Sequence, residues 1–310
     1  MTARAELTPL PERPLVSIVV PSFNQGAFIR QTIASCLEQD YRPIEIVVMD
    51  GGSTDGTVAV LESFGAAPEL RWVSEPDGGV QDAVNRGVGL AKGDLCAIQS
   101  SDDFYLPGVL SAAVEAFRRH PDAALIYADT VKVDAGGREL SRFVTGPYAF
   151  THFLCKRTVI LQPAAFFRRE AFLAVGGWSR DFFNADTECW LRMLLRYRAV
   201  KIDAFWAGRR MHPGQRDEQR ARIIRDHERM TRSHPRIRTG PRRWRLAARC
   251  GNIRHALRYG GIVEPRARRK ALWKAALLWP PVLLDAEVAG LLLPFYHAIR
   301  RRCRGCRERP

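Results

Sequence analysis

Over the first 120 residues, apolar and polar positions repeat in one order: a short β-branched run, a polar or glycine-rich loop, then apolar residues at helical spacing. Val16–Pro21 reads as a buried strand. Phe28, Ile29, Ile33 and Leu37 then fall on one helix face. Ile44–Met49 is a second buried strand. The turn after it offers Ser53, Thr54 and Asp55 as caps for a helix through Val58, Leu61 and Phe64. Arg71–Ser74 predicts a third strand, and Val80, Val84 and Val88 a third helix face. Residues 95–99 predict a fourth strand, and Leu110, Val114 and Phe117 line the helix that follows. Strands alternating with helices imply a parallel sheet covered on both faces.

From about residue 124 the pattern changes. Ala124–Val133, a Gly136-Gly137 turn and Leu140–Val144 predict a hairpin. Gln162–Arg169 reads as a further short strand, Ala185–Leu195 as a helix and Val200–Trp206 as another strand. After His212-Pro-Gly the chain becomes Arg-rich and mainly helical.

In open α/β sheets, ligands bind beyond the carboxyl ends of the strands. Here those ends carry Pro21-Ser-Phe-Asn24, Asp50-Gly-Gly-Ser-Thr-Asp55, Glu75-Pro-Asp-Gly-Gly79 and Ser101-Asp-Asp103, so the loops are expected on one rim. The pair Asp102-Asp103 is the most informative. Two adjacent carboxylates at a strand end repel each other, and burying them costs several kcal/mol unless a cation or dense hydrogen bonding compensates. A divalent metal carrying a phosphate would do so.

Charge adds a second region to this picture. The 310 residues carry a formal net charge of +15, yet residues 213–310 hold 25 Lys/Arg against 8 Asp/Glu, and the remainder holds 23 against 25. The basic character therefore lies in the C-terminal third, which suits an anionic partner. Within it, residues 242–274 interleave Arg with Trp244, Leu246, Leu257, Tyr259, Leu272 and Trp273, as an interfacial segment on anionic lipid would. A solvated helical appendage with its own small core is the plainer alternative. The apolar stretch 271–299 is broken by Lys274, Pro280, Pro281, Asp285, Glu287 and Pro294, which argues against a membrane span. Seven cysteines, most of them inside predicted elements, suit a reduced cytosolic protein, and Cys303/Cys306 stand as a lone Cys-x-x-Cys. Residues 1–14, charged and proline-rich, read as a flexible tail.

Taken together, the motifs resemble the family 2 glycosyltransferases of the GT-A fold. The matching segments are Val19–Asn24, Val48–Thr57, Glu75–Gly87, Ala91–Asp94, Ser101–Gly108 and Val175–Trp178. The resemblance covers roughly residues 15–215 and implies a Rossmann-like mixed α/β sheet, followed by a helical, Arg-rich region over 216–310. It implies transfer of a sugar from a UDP-, dTDP- or GDP-sugar to a hydroxyl of a glycan or lipid-linked acceptor. Inversion and a divalent cation, Mn or Mg, are expected with it. A hard cation neutralises the departing diphosphate.

By the same resemblance, Pro21, Phe23 and Asn24 line the base and ribose, Asp50 hydrogen-bonds the nucleobase edge, and Asp77 is a further donor-binding acid. A carboxylate at Asp50 favours uracil or thymine without excluding guanine; as a turn residue or cap it would need no ligand. Asp103 is implied as the metal carboxylate, with Asp102 towards the ribose and His212 reaching the metal or diphosphate. Ser100 stands where the family motif often begins with Asp or Asn. Asp186, opening Asp186-Thr-Glu-Cys-Trp-Leu-Arg192, is implied as the general base, and Glu188 as its support. Gln162 and Trp178 are implied to border the acceptor cleft, Trp178 as a sugar platform or as core. Asn85 and Arg86 could approach the nucleotide, and Arg209, Arg210 and Arg216 the phosphates.

Two rival classes remain. A sugar-phosphate nucleotidyltransferase would need a basic residue in the first loop, which Pro21–Gly26 lacks. A non-catalytic glycan- or lipid-binding protein would not need Asp50, Asp102, Asp103 and Asp186 together. Specific nucleic-acid binding is not expected, as no recognition motif is present. The expectation is a cytoplasmic glycosyltransferase of cell-surface polysaccharide synthesis, peripheral at the inner face of the plasma membrane.

Overall fold

The computed structural model describes residues 5–213, 215 and 219–263. They belong to two compact units: one of residues up to 148 with 158–215, the other of 149–157 with the residues from 216 onward.

The first unit is built on one nine-stranded sheet. Its strands are β1 (Val16–Ser22), β2 (Ile44–Asp50), β3 (Leu70–Ser74), β4 (Leu95–Ile98), β5 (Phe104–Tyr105), β6 (Ala123–Val133), β7 (Glu139–Phe143), β8 (Ala165–Arg168) and β9 (Arg198–Arg210). The order is β3-β2-β1-β4-β8-β6-β9-β5, with β7 paired to β6. The first four strands are mutually parallel, as the βα alternation predicts. Beyond β4 the sheet becomes mixed: β8 runs antiparallel to β4 and β6, while β9 runs parallel to β6.

Side-chain alternation sorts the two faces. On one, Ile18, Val20, Ile46 and Val48 join Ile29 and Ile33 of α1 (Ile29–Leu37) and Leu110, Val114 and Phe117 of α4 (Val109–Arg119) in the main core. The helix after α1 in sequence, α2 (Thr57–Glu62), adds Leu61. On the other face lies α3 (Val80–Leu90), where a Cβ at Gly87 would meet the Val19 side chain at 2.4 Å. Gly87 thus lets helix and sheet approach closely. The same logic applies at Gly208 of β9, paired with Phe104: a Cβ there would lie 2.2 Å from the Phe104 ring.

Several boundaries differ from the expectation. Gln162–Ala164 form a 3-10 turn because Pro163 cannot donate to a ladder, and the strand starts at Ala165. Two short helices escaped the apolar pattern, α5 (Phe150–Leu154) and α6 (Arg169–Ala174), as did the two-residue strand β5. Helix α7 (Ala185–Leu194) follows the prediction.

Residues 5–14 form no helix or strand, yet they are not a loose tail. The Thr8 amide and hydroxyl donate to Glu170 at 2.9 and 2.7 Å, and the Ala5 amide donates to the Arg196 carbonyl at 3.1 Å. The buried Arg168 guanidinium donates to the Thr8 carbonyl at 2.7 Å. An arginine buried in a strand needs acceptors, and this segment supplies one.

The second unit packs α5 with α8 (Arg220–Ser233), α9 (Pro235–Arg238) and α10 (Arg242–Val263). Phe150 meets Trp244 edge-to-face at 4.8 Å, and Thr231 and Asn252 are hydrogen-bonded. Phe153, Leu154, Met230, Ile237, Ala248 and Ile253 are buried. No helix among the described residues is long and apolar enough to cross a membrane. The stretch 271–299 and Cys303/Cys306 lie outside the described residues, as do residues 264–274 of the interleaved Arg/Trp region.

Gly208→Val is expected to destabilise the protein by about 1–3 kcal/mol, since the added atoms must displace the Phe104 ring. Urea unfolding measures this; wild-type stability would contradict the close approach.

Candidate functional site

The loops after β1, β2 and β3 meet at the carboxyl edge of the parallel strands. Asn24 adopts a left-handed backbone, φ 53°, and its amide donates to Ser53 Oγ at 2.7 Å. Its side-chain oxygen accepts from the Thr54 amide at 2.9 Å. The Gly26 amide donates to the Asp55 carboxylate at 2.9 Å. Asp77 receives the Gly79 amide at 2.7 Å and lies against Gly51, where a Cβ would be 3.3 Å from its carboxylate. Pro21 is buried at the strand end, while Phe23 is 59% exposed on the rim.

Asp50, at the end of β2, is buried. Its carboxylate accepts the Ser53 amide at 2.9 Å and hydroxyl, and the Ser74 hydroxyl at 2.7 Å. It therefore organises the turn and ties β2 to β3, the role a turn aspartate has without a ligand. Nearby, the Ser22 hydroxyl and Gln25 Oε1 are buried without a hydrogen-bond partner among the described residues. Buried polar atoms left unpaired are costly, and these two stand in the loop that opens the site.

The acidic pair after β4 divides sharply. Asp103 is buried, and its Oδ1 accepts the Arg210 amide at 2.8 Å. Burial, and then the neighbouring Asp102 charge, hold its carboxyl well above the usual carboxylate range, against that amide and the charges of Arg209 and Arg210. Asp102 is more open. Its Oδ2 lies 3.1 Å from His212 Nε2 and accepts from Gln215 Nε2 at 3.0 Å. The geometry thus sets Asp102, rather than Asp103, beside His212. Ser100 donates to Gln162 Oε1 at 3.0 Å, and Gln162 donates in turn to the Ile98 carbonyl. Gln162 therefore braces the Ser100 loop.

Arg210 does not present its guanidinium to a phosphate. It is buried, donating through Nε to the Asp102 carbonyl at 2.8 Å and through Nη1 to the Ala135 carbonyl at 2.6 Å. Its Nη2 donates to Gln31 of α1. Gln31 and Gln215 carried no signal in the sequence beyond being polar. Arg216 lies outside the described residues.

The segment before α7 is moored to α3. Asn85 donates to the Trp178 carbonyl and accepts the Trp178 amide, both at 2.8 Å. Gln81 donates to the Phe182 carbonyl at 2.9 Å, and Arg180 pairs with Asp82. Asn85 is thus a structural clamp rather than a nucleotide contact, and Arg86 pairs with Glu75. Trp178 is 5% exposed, which makes it core rather than an open sugar platform. Glu188 is buried and forms a two-point ion pair with Arg192, at 2.7 and 2.6 Å. Arg192 also holds the Val175 and Gly177 carbonyls. Asp186, in the first turn of α7, is half-buried, and its carboxylate accepts no hydrogen bond from a described residue; no side chain caps that helix. Cys36 and Cys96 are buried free thiols that burial pushes up to about 12, so both are packing residues.

Among the described residues, no group of three or more His, Cys, Asp or Glu is assembled to hold a metal. Asp102 and His212 nonetheless supply one oxygen and one nitrogen donor. They suit a cation whose remaining positions are filled by water or phosphate oxygens.

Because Asp103 binds its proton more tightly folded than unfolded, its contribution to stability is full at acid pH. It is lost as pH rises above the ordinary carboxylate pKa of about 3.9. In metal-free protein, Asp103→Asn is expected to flatten that decline between pH 4 and 8 in urea melts. Equal slopes for variant and wild type would contradict it.

The model of glycosyl transferase family 2 matches residues 17–176. An uncharacterised glycosyltransferase of Mycobacterium tuberculosis is 37% identical over 195 residues, which cover 61% of this chain and 72% of the relative. The mannosyltransferase PcManGT of Pyrobaculum calidifontis, solved in complex with GDP-Man and Mn2+, is similar in structure. Its TM-score is 0.61 at 21% identity, covering 93% of this chain and 88% of that one. TarS 1–349 of S. aureus, solved with UDP-GlcNAc, gives 0.66 at 16% identity, covering 92% and 87%. These two likenesses establish the shared GT-A fold. With more than half of its length inside the family match, the chain belongs to glycosyl transferase family 2 and is a glycosyltransferase.

Proposed function

We propose that this enzyme transfers a sugar from a nucleoside-diphosphate sugar to an acceptor hydroxyl, with inversion, in the assembly of a cell-surface glycan. The observation that carries this reading is the pairing of Asp102 with His212 at the rim where the β1, β2 and β3 loops converge. The nucleoside is assigned to Pro21, Phe23, Asn24, Asp50 and Asp77. The exposed Phe23 ring suits stacking, and the unpartnered Ser22 and Gln25 atoms suit a polar ligand. Accepting a base N–H at Asp50 would compete with Ser53 and Ser74, which hold that carboxylate.

Asp102 and His212 are the residues assigned to a divalent cation, Mn or Mg. Asp103 is assigned to support beneath them, which revises the expectation that it is the metal carboxylate. When bound, such a cation would neutralise the developing charge of the diphosphate leaving group. One likeness in structure, PcManGT, was solved with Mn2+. Asp186 is assigned as the base that takes the acceptor proton. Its carboxylate is not spent on other described residues, and the mooring of 178–182 on the first turns of α3 supports its place at the rim. Glu188, locked to Arg192, is assigned to stiffening the loop before α7. Gln162 and Trp178 act on the acceptor side through the backbone they brace.

The acceptor is assigned to the glycan or lipid-linked class. The basic C-terminal region is assigned to anionic membrane at the cytoplasmic face; the exposed Arg225, Arg232, Arg238, Arg243 and Arg245 of the second unit support this.

A thermal-shift screen of UDP-, GDP- and dTDP-sugars, with and without Mn2+, should give a cation-dependent rise in Tm for one nucleotide class. Asp102→Ala and His212→Ala should each abolish the cation-dependent part while folding normally; an undiminished shift in both would remove the pair as the cation site. Asp186→Asn should keep the donor-induced shift and lose turnover by about 10²–10⁴-fold. Unchanged turnover would exclude Asp186 as the base.

A further inference from the structure

Four side chains from separate elements form a column under the candidate cation site. The His212 ring lies 4.7 Å from the Phe28 ring, centroid to centroid. The Arg210 guanidinium lies 4.9 Å from the Phe28 centroid and 5.6 Å from that of Phe104. Phe104 in turn occupies the space that a side chain at Gly208 would fill. Phe28 precedes α1, directly after the loop that opens the site, while His212 follows β9.

Several polar contacts around the column run towards the acidic pair. Arg210 holds the Asp102 carbonyl and, through its amide, the Asp103 carboxylate. Its remaining donors tie the turn after β6 and Gln31 of α1. The Arg210 carbonyl accepts from Gln215, whose same nitrogen also donates to the Asp102 carboxylate. A buried guanidinium with this many fixed partners cannot shift without breaking several bonds at once. His212 itself sits on a loop beyond the strand end. Its ring makes two polar contacts, with Asp102 and with the neighbouring Pro213 carbonyl at 2.9 Å.

We propose that Arg210 and Phe28 are positioning residues: the Arg210 guanidinium fixes the Phe28 ring, and that ring presents His212 to Asp102. This rests on the assignment of Asp102 and His212 to the donor's cation. Neither is assigned a contact with the sugar or the diphosphate. Each acts by fixing the separation of the two ligating groups before a cation arrives, as outer partners of metal ligands do.

The test uses the metal-free full-length protein first. The His212 ring protons, identified by their loss in His212→Ala, should be displaced by the Phe28 ring current in NMR spectra. Phe28→Leu and Arg210→Met should both collapse that displacement, and Phe28→Tyr should retain it. Mn2+ titration by electron paramagnetic resonance should then show affinity about tenfold weaker in the first two variants and unchanged in Phe28→Tyr. A folded Arg210→Met with wild-type ring-current shift and Mn2+ affinity overturns the proposal. If Arg210→Met does not fold, Phe28→Leu decides by the same two readouts. A wild-type protein that binds no Mn2+ removes the cation assignment; the metal-free spectra would still decide whether Arg210 and Phe28 place His212.

Discussion

Two neighbouring carboxylates stand in the loop after β4, and the first unit is arranged around accommodating them. Their charges cannot both be tolerated in the same low-dielectric setting. The fold separates them: Asp103 turns inward, towards the Arg210 amide, and Asp102 turns to the rim. The separation depends on Arg210, whose backbone and side chain serve one aspartate each. Because Arg210 also reaches α1 and the turn after β6, the strand that carries it is fixed at its far end.

The other half of the rim is governed by small backbone-directed contacts. Asn24 and Asp55 each satisfy an amide of the adjoining loop, and Asp50 and Asp77 amides of their own turns, so this rim is shaped before a ligand binds. Preformed loops lower the ordering cost that binding would otherwise incur. On the opposite side, Asn85 and Gln81 extend the same logic to the segment leading into α7. A transferase that must align donor and acceptor gains from rigidity on both sides, because misplacement of a reacting group costs rate steeply.

Much of this was legible in the sequence. Apart from the two-residue β5, the strand and helix order through α4 follows from apolar periodicity, and the loop residues identify the family because many short motifs occur in order. What escaped was tertiary. An arginine at the end of a strand looks like a phosphate ligand until the acceptors that enclose it are seen; Arg210 meets carbonyls from two distant loops. Asp102 and Asp103 cannot be told apart by position, because which one turns inward depends on β9 lying beside β5. Trp178 and Asn85 are ambiguous for a related reason, since the Asn85 side chain bonds the Trp178 backbone across 93 residues of chain. The N-terminal residues looked loose because nothing local holds them, while their partners Glu170 and Arg168 lie far along the chain.

The excursion of residues 149–157 into the second unit has a consequence for biosynthesis. A nascent chain completes β7 and then produces α5, whose apolar residues Phe150, Phe153 and Leu154 pack with helices not yet made. Trp244, the partner of Phe150, leaves the ribosome roughly 5–20 seconds later at synthesis rates of about 5–20 residues per second. During that interval the sheet can close around β8 and β9 while α5 waits, a short apolar segment without its cover. The two units are therefore interleaved in time as well as in sequence, and the second cannot be completed before the first has been fully synthesised.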